Sequence, residues 1–156
     1  MIKDNRKTKK KGLIFYLCTV CGNLIVKLID SGLTPQCCGR DMVELVPASS
    51  DGAVEKHVPA WKMDGCKLIV QVGEEMHPMS ESHYIQWICV STSQGFRLRN
   101  LDPDEAPCAE FKLNKGEIVD TIYAYCNMHG LWMVNVDTGC HELGMDSNNA
   151  SEQHSN

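Results

Sequence analysis

Hydrophobic and polar residues alternate with a period of two along much of the chain. In Lys67–Val72 the residues Leu68, Val70 and Val72 share one face, opposite Lys67 and Gln71. Phe96-Arg97-Leu98-Arg99 alternates in the same way, and Tyr84–Val90, Ile118–Tyr125 and Leu131–Val136 are rich in aromatic and β-branched residues. A period of two sends successive side chains to opposite faces of a strand, and no long segment carries the 3.6-residue period of an amphipathic helix. Turn-forming clusters separate these runs: Ser93-Gln94-Gly95, Asp102-Pro103-Asp104, Asn114-Lys115-Gly116 and Asp137-Thr138-Gly139. Short strands spaced by such turns predict an all-β fold, an antiparallel sandwich or barrel.

The pattern divides the chain. Residues 1–11 form a basic tail, 12–47 a compact Cys-rich unit, 48–138 the strand-rich domain and 139–156 a polar tail. Pro47-Ala48-Ser49-Ser50-Asp51-Gly52 reads as the linker between the two folded parts.

With 43% apolar and 22% charged residues in 156, the chain has the composition of a globular protein, not of a fibre or a disordered segment. Twenty acids face fifteen bases, and six of those bases (Lys3, Arg6, Lys7, Lys9, Lys10, Lys11) sit in the first eleven residues. The rest therefore carries about −10, a poor match for nucleic acid, whose affinity comes largely from neutralised phosphates. Leu13–Ile29 contains Asn23 and Lys27, lacks a small-residue cleavage site and is too short to span a bilayer, so neither a signal peptide nor a membrane segment is expected. The expected location is the cytoplasm, where thiols stay reduced. Nine cysteines in that setting point to metal.

Two clusters of ligand-type residues stand out. The first is Cys18-x2-Cys21, then fifteen residues, then adjacent Cys37-Cys38. Four thiolates suit a tetrahedral zinc or iron ion, and a unit of about 35 residues needs such a cross-link because it cannot bury enough apolar area to fold alone. Spacing alone does not separate iron from zinc. The second cluster gathers four of the six histidines, His57, His77, His83 and His129, with Cys126 three residues before His129 across a predicted turn. Five N/S ligands are one too many for structural zinc. On an octahedral metal they leave one position for a small molecule, and imidazoles with one thiolate suit iron.

Both clusters sit in strings similar to a known family. Phe15-Tyr16-x-Cys18-x2-Cys21-Gly22-Asn23 with Cys37-Cys38-Gly39-x2-Met42 resembles desulforedoxin and the N-terminal domain of desulfoferrodoxin. Glu55-Lys56-His57-Val58-Pro59, His77-Pro78-Met79…His83-Tyr84-Ile85-Gln86-Trp87-Ile88 and Cys126-Asn127-Met128-His129-Gly130-Leu131-Trp132 resemble the catalytic domain of superoxide reductase. Together they resemble two-iron superoxide reductase, or desulfoferrodoxin, over roughly residues 13–137.

The resemblance implies a desulforedoxin-like domain followed by an immunoglobulin-like β-sandwich, with two iron ions per chain. Cys18, Cys21, Cys37 and Cys38 would hold the first iron. His57, His77, His83 and His129 would surround the second in a plane, with Cys126 axial and the sixth site open to superoxide, which is reduced by one electron to hydrogen peroxide. Lys56 would attract the anion and assist its protonation, and Glu55 would close the sixth site in the oxidised resting state. A homodimer and a rubredoxin-like electron donor are also implied.

The remaining candidates have simpler readings. Cys89 is expected in the core, Cys66 and Cys108 match no ligand, and Cys140-His141 falls at the edge of the polar tail with His154 further along it. Met76, Met79, Met128 and Met133 are expected to fill gaps, and Trp87 and Trp132 to pack. Three other functions use the same residues differently: a blue-copper electron carrier ligated by Cys126, His129 and Met133 with an upstream His, a zinc-stabilised binding module, and a dismutase that needs no electron donor.

Overall fold

The computed structural model describes residues 12–48 and 57–140. Among them every named element is a strand: β1 (Ile14–Leu17), β2 (Leu24–Lys27), β3 (Gln36–Cys37), β4 (Arg40–Asp41), β5 (Val43–Leu45), β6 (Pro59–Asp64), β7 (Lys67–Val72), β8 (Ile85–Thr92), β9 (Gly95–Asn100), β10 (Cys108–Lys112), β11 (Ile118–Cys126) and β12 (Gly130–Gly139). Every strand pair is antiparallel. The fold is all-β.

Two sheets form the larger part, a three-stranded one in the order β10-β7-β6 and a four-stranded one in the order β12-β11-β8-β9. Leu68, Val70 and Val72 of β7 and Ala109 and Phe111 of β10 face Ile88 and Val90 of β8 and Val119, Ile122 and Ala124 of β11, in one buried cluster between the sheets. Each fully buried Val, Leu or Ile in such a layer contributes about 1.5–3 kcal/mol.

The N-terminal sheet, in the order β2-β1-β5, packs on the outer face of the four-stranded sheet. Phe15 stacks on Trp87 (centroids 5.2 Å apart) and meets Tyr123 edge-on, while Leu13 N–H donates to the Tyr123 hydroxyl. Both faces of β8 and β11 are thereby covered, which is why Trp87-Ile88-Cys89-Val90 and Ile122–Cys126 are buried without a break. At the chain's approach to residue 49, Ala48 pairs with β12 through Ala48 N–H to the Leu131 carbonyl and Met133 N–H to the Ala48 carbonyl.

The strand ends position the site. His57 precedes β6, His77 and His83 lie between β7 and β8, Cys126 ends β11 and His129 precedes β12. All five therefore fall at one end of the sandwich.

Two expectations need correction. Asp137-Thr138-Gly139 is not a turn but the last part of β12, where two residues oppose one on β11 and Asp137 takes φ +52°. An aspartate tolerates that left-handed conformation, so turn-forming residues here make a β-bulge. Cys140 is not tail either, being 3% exposed and disulfide-bonded to Cys66. In the structure this pair is joined, whereas the other cysteines are free. The remaining tail assignments, residues 1–11 and 141–156 with His141 and His154, lie outside the described residues, as do Glu55 and Lys56.

Candidate metal centres

Cys18 follows β1 directly, and the chain turns back on itself within five residues. Gly22, at φ +78°, allows its N–H to donate to the Cys18 carbonyl (2.9 Å), and Cys18 N–H donates to the Asn23 carbonyl (2.8 Å). Cys37 ends β3, and Cys38-Gly39 make the two-residue turn to β4 with φ of +52° and +72°. Positive φ at both central positions is the type I′ hairpin geometry. It costs Cys38 about 1 kcal/mol, and the adjacent sulfurs end 3.9 Å apart.

The Sγ atoms of Cys18, Cys21, Cys37 and Cys38 all lie within 4.8 Å of one another, with Cys21 and Cys37 at 3.6 Å. Four sulfurs each about 2.3 Å from one ion stand about 3.8 Å apart at tetrahedral angles. The set fits a tetrahedral ion without rearrangement of the chain. Asn23 Nδ2 donates to Cys37 Sγ (3.6 Å). The backbone N–H groups of Cys21 and Val20 lower the Cys18 thiol to about 6, whereas the neighbouring Cys21 sulfur raises Cys37 and pushes Cys38 up to about 12. Crowding thus resists a second and third thiolate until a cation neutralises them.

The second cluster has a different shape. Successive ring centroids are 4.7 Å (His57–His77), 4.6 Å (His77–His83), 4.8 Å (His83–His129) and 4.6 Å (His129–His57) apart, with interplanar angles of 73° to 88°. The diagonal His57–His83 is 6.3 Å. Four near-equal edges with one diagonal about 1.3 times as long describe a near-square of imidazoles. Their donor atoms and Cys126 Sγ all lie within 4.8 Å of one another. Cys126 is fully buried, and its sulfur is 3.7 Å from His129 Nδ1.

Local contacts select the nitrogen each ring presents. His77 Nδ1 donates to the Pro78 carbonyl (2.6 Å), leaving Nε2 as the lone-pair nitrogen. Among the described residues, His77 Nε2 and His83 Nε2 are buried with no hydrogen-bond partner. His57 Nε2 and His129 Nδ1 face each other at 2.8 Å. Two nitrogens bound at about 2.0–2.1 Å and at right angles on one ion stand about 3 Å apart. Burial lowers His77 to about 4 and also lowers His83, favouring the neutral imidazoles that ligation requires. Orphaned nitrogens, right-angle spacing and neutral rings all fit a metal ion with four imidazoles and one thiolate.

Supporting residues fix the loops. Asn127 Oδ1 accepts from Tyr84 N–H (2.9 Å) and Asn127 Nδ2 donates to the Ser82 carbonyl (3.2 Å), tying the His83 loop to the Cys126–His129 turn. Gly130, at φ +80°, closes that turn. Trp132 stacks on His57 (4.6 Å, 20°), whereas Trp87 stacks on Phe15 and Tyr125 away from the site. The sequence reading assigned no role to Asn127, although a polar residue between two ligands in a turn is the kind of signal that marks one.

Other residues fall where the simpler readings put them, apart from Cys66 and Cys140 and the gap-filling expected of Met76 and Met128. Cys89 is fully buried, and burial pushes its thiol up to about 12. Met79 packs against the inter-sheet core, while Met76 and Met128 are exposed. Met133 packs with Tyr123 and Leu131 on the outer face, so the thioether of the copper alternative does not join Cys126 and His129.

A family model described as Desulfoferrodoxin matches residues 49–135. A desulfoferrodoxin homolog of Archaeoglobus fulgidus is 41% identical over 75% of this chain and 92% of its own length, and the desulfoferrodoxin of Nitratidesulfovibrio vulgaris is 38% identical over 75% and 91%. The solved superoxide reductase of Treponema pallidum superposes with a TM-score of 0.69 at 31% identity, covering 79% of this chain and 98% of that one. With its square of imidazoles, buried thiolate and separate four-Cys cluster in place, the chain belongs to the desulfoferrodoxin family.

Proposed function

We propose that this chain is a superoxide reductase carrying two iron ions, one at each cluster. The carrying observation is the square of His57, His77, His83 and His129 with buried Cys126 as fifth donor. Support comes from the likeness to the Treponema pallidum superoxide reductase. Five donors would leave one position of a six-coordinate ion for a diatomic ligand. Iron held by these residues would supply the one electron that, with two protons, converts superoxide to hydrogen peroxide.

The chain's own residues do the rest. Cys126 would hold the metal as its fifth donor, its sulfur lending electron density to the bound ion. Four imidazoles and one thiolate around a divalent ion would leave the site with a net positive charge, which attracts an anion. Lys56, adjacent to ligand His57, offsets the acidic body locally, raising the encounter rate with superoxide and supplying a proton to the departing product. Glu55, next to Lys56 in sequence, would supply a carboxylate to close the open position of the oxidised metal. Asn127 and Trp132 hold the ligand loops in register.

In this reading residues 12–47 form an accessory electron-transfer domain and residues 48–138 the catalytic one. The protein works as a homodimer in the cytoplasm, draws electrons from a rubredoxin-like donor and detoxifies superoxide, without nucleic-acid or membrane partners. Rapid mixing of the reduced iron-loaded protein with superoxide tests the activity. One hydrogen peroxide per superoxide with oxidation of one iron and no dioxygen supports reduction. Release of dioxygen without consumption of reductant would indicate dismutation, and no reaction would indicate an electron carrier.

A further inference from the structure

At the end of the sandwich opposite the imidazoles, Cys66 and Cys140 form a disulfide across a sequence separation of 74 residues. Cys66 sits in the turn joining β6 to β7, and Cys140 directly follows β12. The bond therefore ties the three-stranded sheet to the four-stranded one. Their Cα atoms are 4.5 Å apart, within the span a disulfide bridges. One loop braces both residues. Leu113 N–H donates to the Cys66 carbonyl (2.7 Å), Cys140 N–H donates to the Glu117 carbonyl (3.0 Å), and Gly116 N–H donates to the Cys140 carbonyl (3.4 Å). The two sulfurs are thus brought together by the sheet framework itself, with no free segment between them.

The two cysteines differ in access. Cys140 is 3% exposed within the core cluster. Cys66 is half-buried and lines a surface cleft of about 460 Å³ with Asp64, Lys67, Glu110 and Lys112. A small oxidant can reach Cys66, while Cys140 is placed to attack from inside. The cleft carries two lysines and two carboxylates, with Lys67 paired to Glu110 (3.4 Å), and the thiolate is the form of a cysteine that reacts with peroxide.

We propose that Cys66–Cys140 is a peroxide-responsive dithiol, closed by the product released at the other end of the same domain, so that enzyme turning over at high flux acquires a covalent lock between its sheets. The Cys66 thiolate attacks one oxygen of hydrogen peroxide, breaking the O–O bond to give a sulfenic acid and, after proton transfer, water. The Cys140 thiol then attacks that sulfur, forming the S–S bond and releasing a second water. Two thiols and one peroxide become one disulfide and two waters. In a reducing compartment the pair rests as the dithiol, and cross-linked loops of this length stabilise mainly by restricting the unfolded chain. The source of oxidant rests on the superoxide-reductase reading, whereas the dithiol chemistry does not.

The test uses the iron-loaded protein, fully reduced, with added hydrogen peroxide and no superoxide, so its outcome is independent of the reductase activity. After quenching, alkylation in denaturant and digestion, mass spectrometry should find the Cys66–Cys140 linked peptide rising with peroxide dose, while Cys89 and Cys108 remain alkylated. Cys140→Ala should stop at a Cys66 sulfenic acid trapped by dimedone. The oxidised wild type should melt at least about 5 °C above its reduced form, a difference absent in the Cys66→Ser/Cys140→Ser variant, whose metal content should be unchanged. Cys66 and Cys140 staying alkylated at peroxide levels that modify Cys108, or equal melting of oxidised and reduced wild type, would overturn the proposal.

Discussion

His57 Nε2 and His129 Nδ1 lie 2.8 Å apart, although 72 residues separate them in sequence. One ring precedes β6 of the three-stranded sheet and the other precedes β12 of the four-stranded sheet. Their meeting means that the two sheets close on each other at this end through ligand side chains. Stability of the site and stability of the sandwich are therefore linked, and binding of a metal by the folded state stabilises it by mass action.

Asn127 joins the two ligand loops through Tyr84 and Ser82 without being a ligand itself. Replacing it with Ala should weaken metal binding at the second cluster by about 10–100-fold, the range for partners that orient ligands. Chelator competition on the wild type and variant measures this. Unchanged affinity would show that the loops hold their places without it.

The four-Cys cluster is spatially separate, carried by β1, β3 and the turns after them. Cys21→Ser should lower iron from two equivalents per chain to one while leaving the second-order reaction with superoxide within about twofold. Metal analysis with stopped-flow kinetics tests both halves. Loss of the reaction would make the first centre obligatory.

Lys56→Ala should slow the superoxide reaction by about tenfold at low ionic strength, with the difference shrinking as salt screens the charge. A rate that is unchanged at low salt would remove Lys56 from the mechanism.

Far from the metal clusters, Glu117 is almost wholly buried and accepts from Arg97 through both oxygens, from Thr92 Oγ1 (2.7 Å) and from Asn114 N–H (2.9 Å). The Arg97 guanidinium foremost holds its carboxyl at about 2, below the ordinary 4.5. A depressed folded-state value stabilises above 4.5, and that stabilisation is lost as pH falls from 4.5 through about 2. Glu117→Gln should cost on the order of 2–3 kcal/mol at neutral pH, and the gap between variant and wild type should narrow below pH 4.5. Denaturant titrations across pH read it directly, and a gap independent of pH would argue against the ion pair as its source.

Much of the site was legible because ligand chemistry is local. Cys18-x2-Cys21, Cys37-Cys38 and Cys126-x2-His129 each occupy one turn, and a turn's composition betrays it. The strand Lys67–Val72 was legible because one face is buried and the other is not, whereas Phe96–Arg99 alternates with its apolar Phe96 and Leu98 exposed and Arg97 turned to buried Glu117. Pro59–Asp64 was not, since an edge strand with Pro59, Lys62 and Asp64 buries too little to show alternation. Cys108–Lys112 does alternate, with Ala109 and Phe111 inward, but its five residues are too few to stand out. The bulge at Asp137 and the pairing of Cys66 with Cys140 depend on register between distant strands, which composition along the chain does not carry.

The central claim is that four imidazoles and one thiolate converge on a single iron. Iron K-edge absorption on ferrous Cys21→Ser protein, which holds only the second iron, measures that shell directly. The expected result is one sulfur and four imidazole nitrogens around the metal. A shell with no sulfur, with two or more sulfurs, or with fewer than four imidazoles would contradict the assignment.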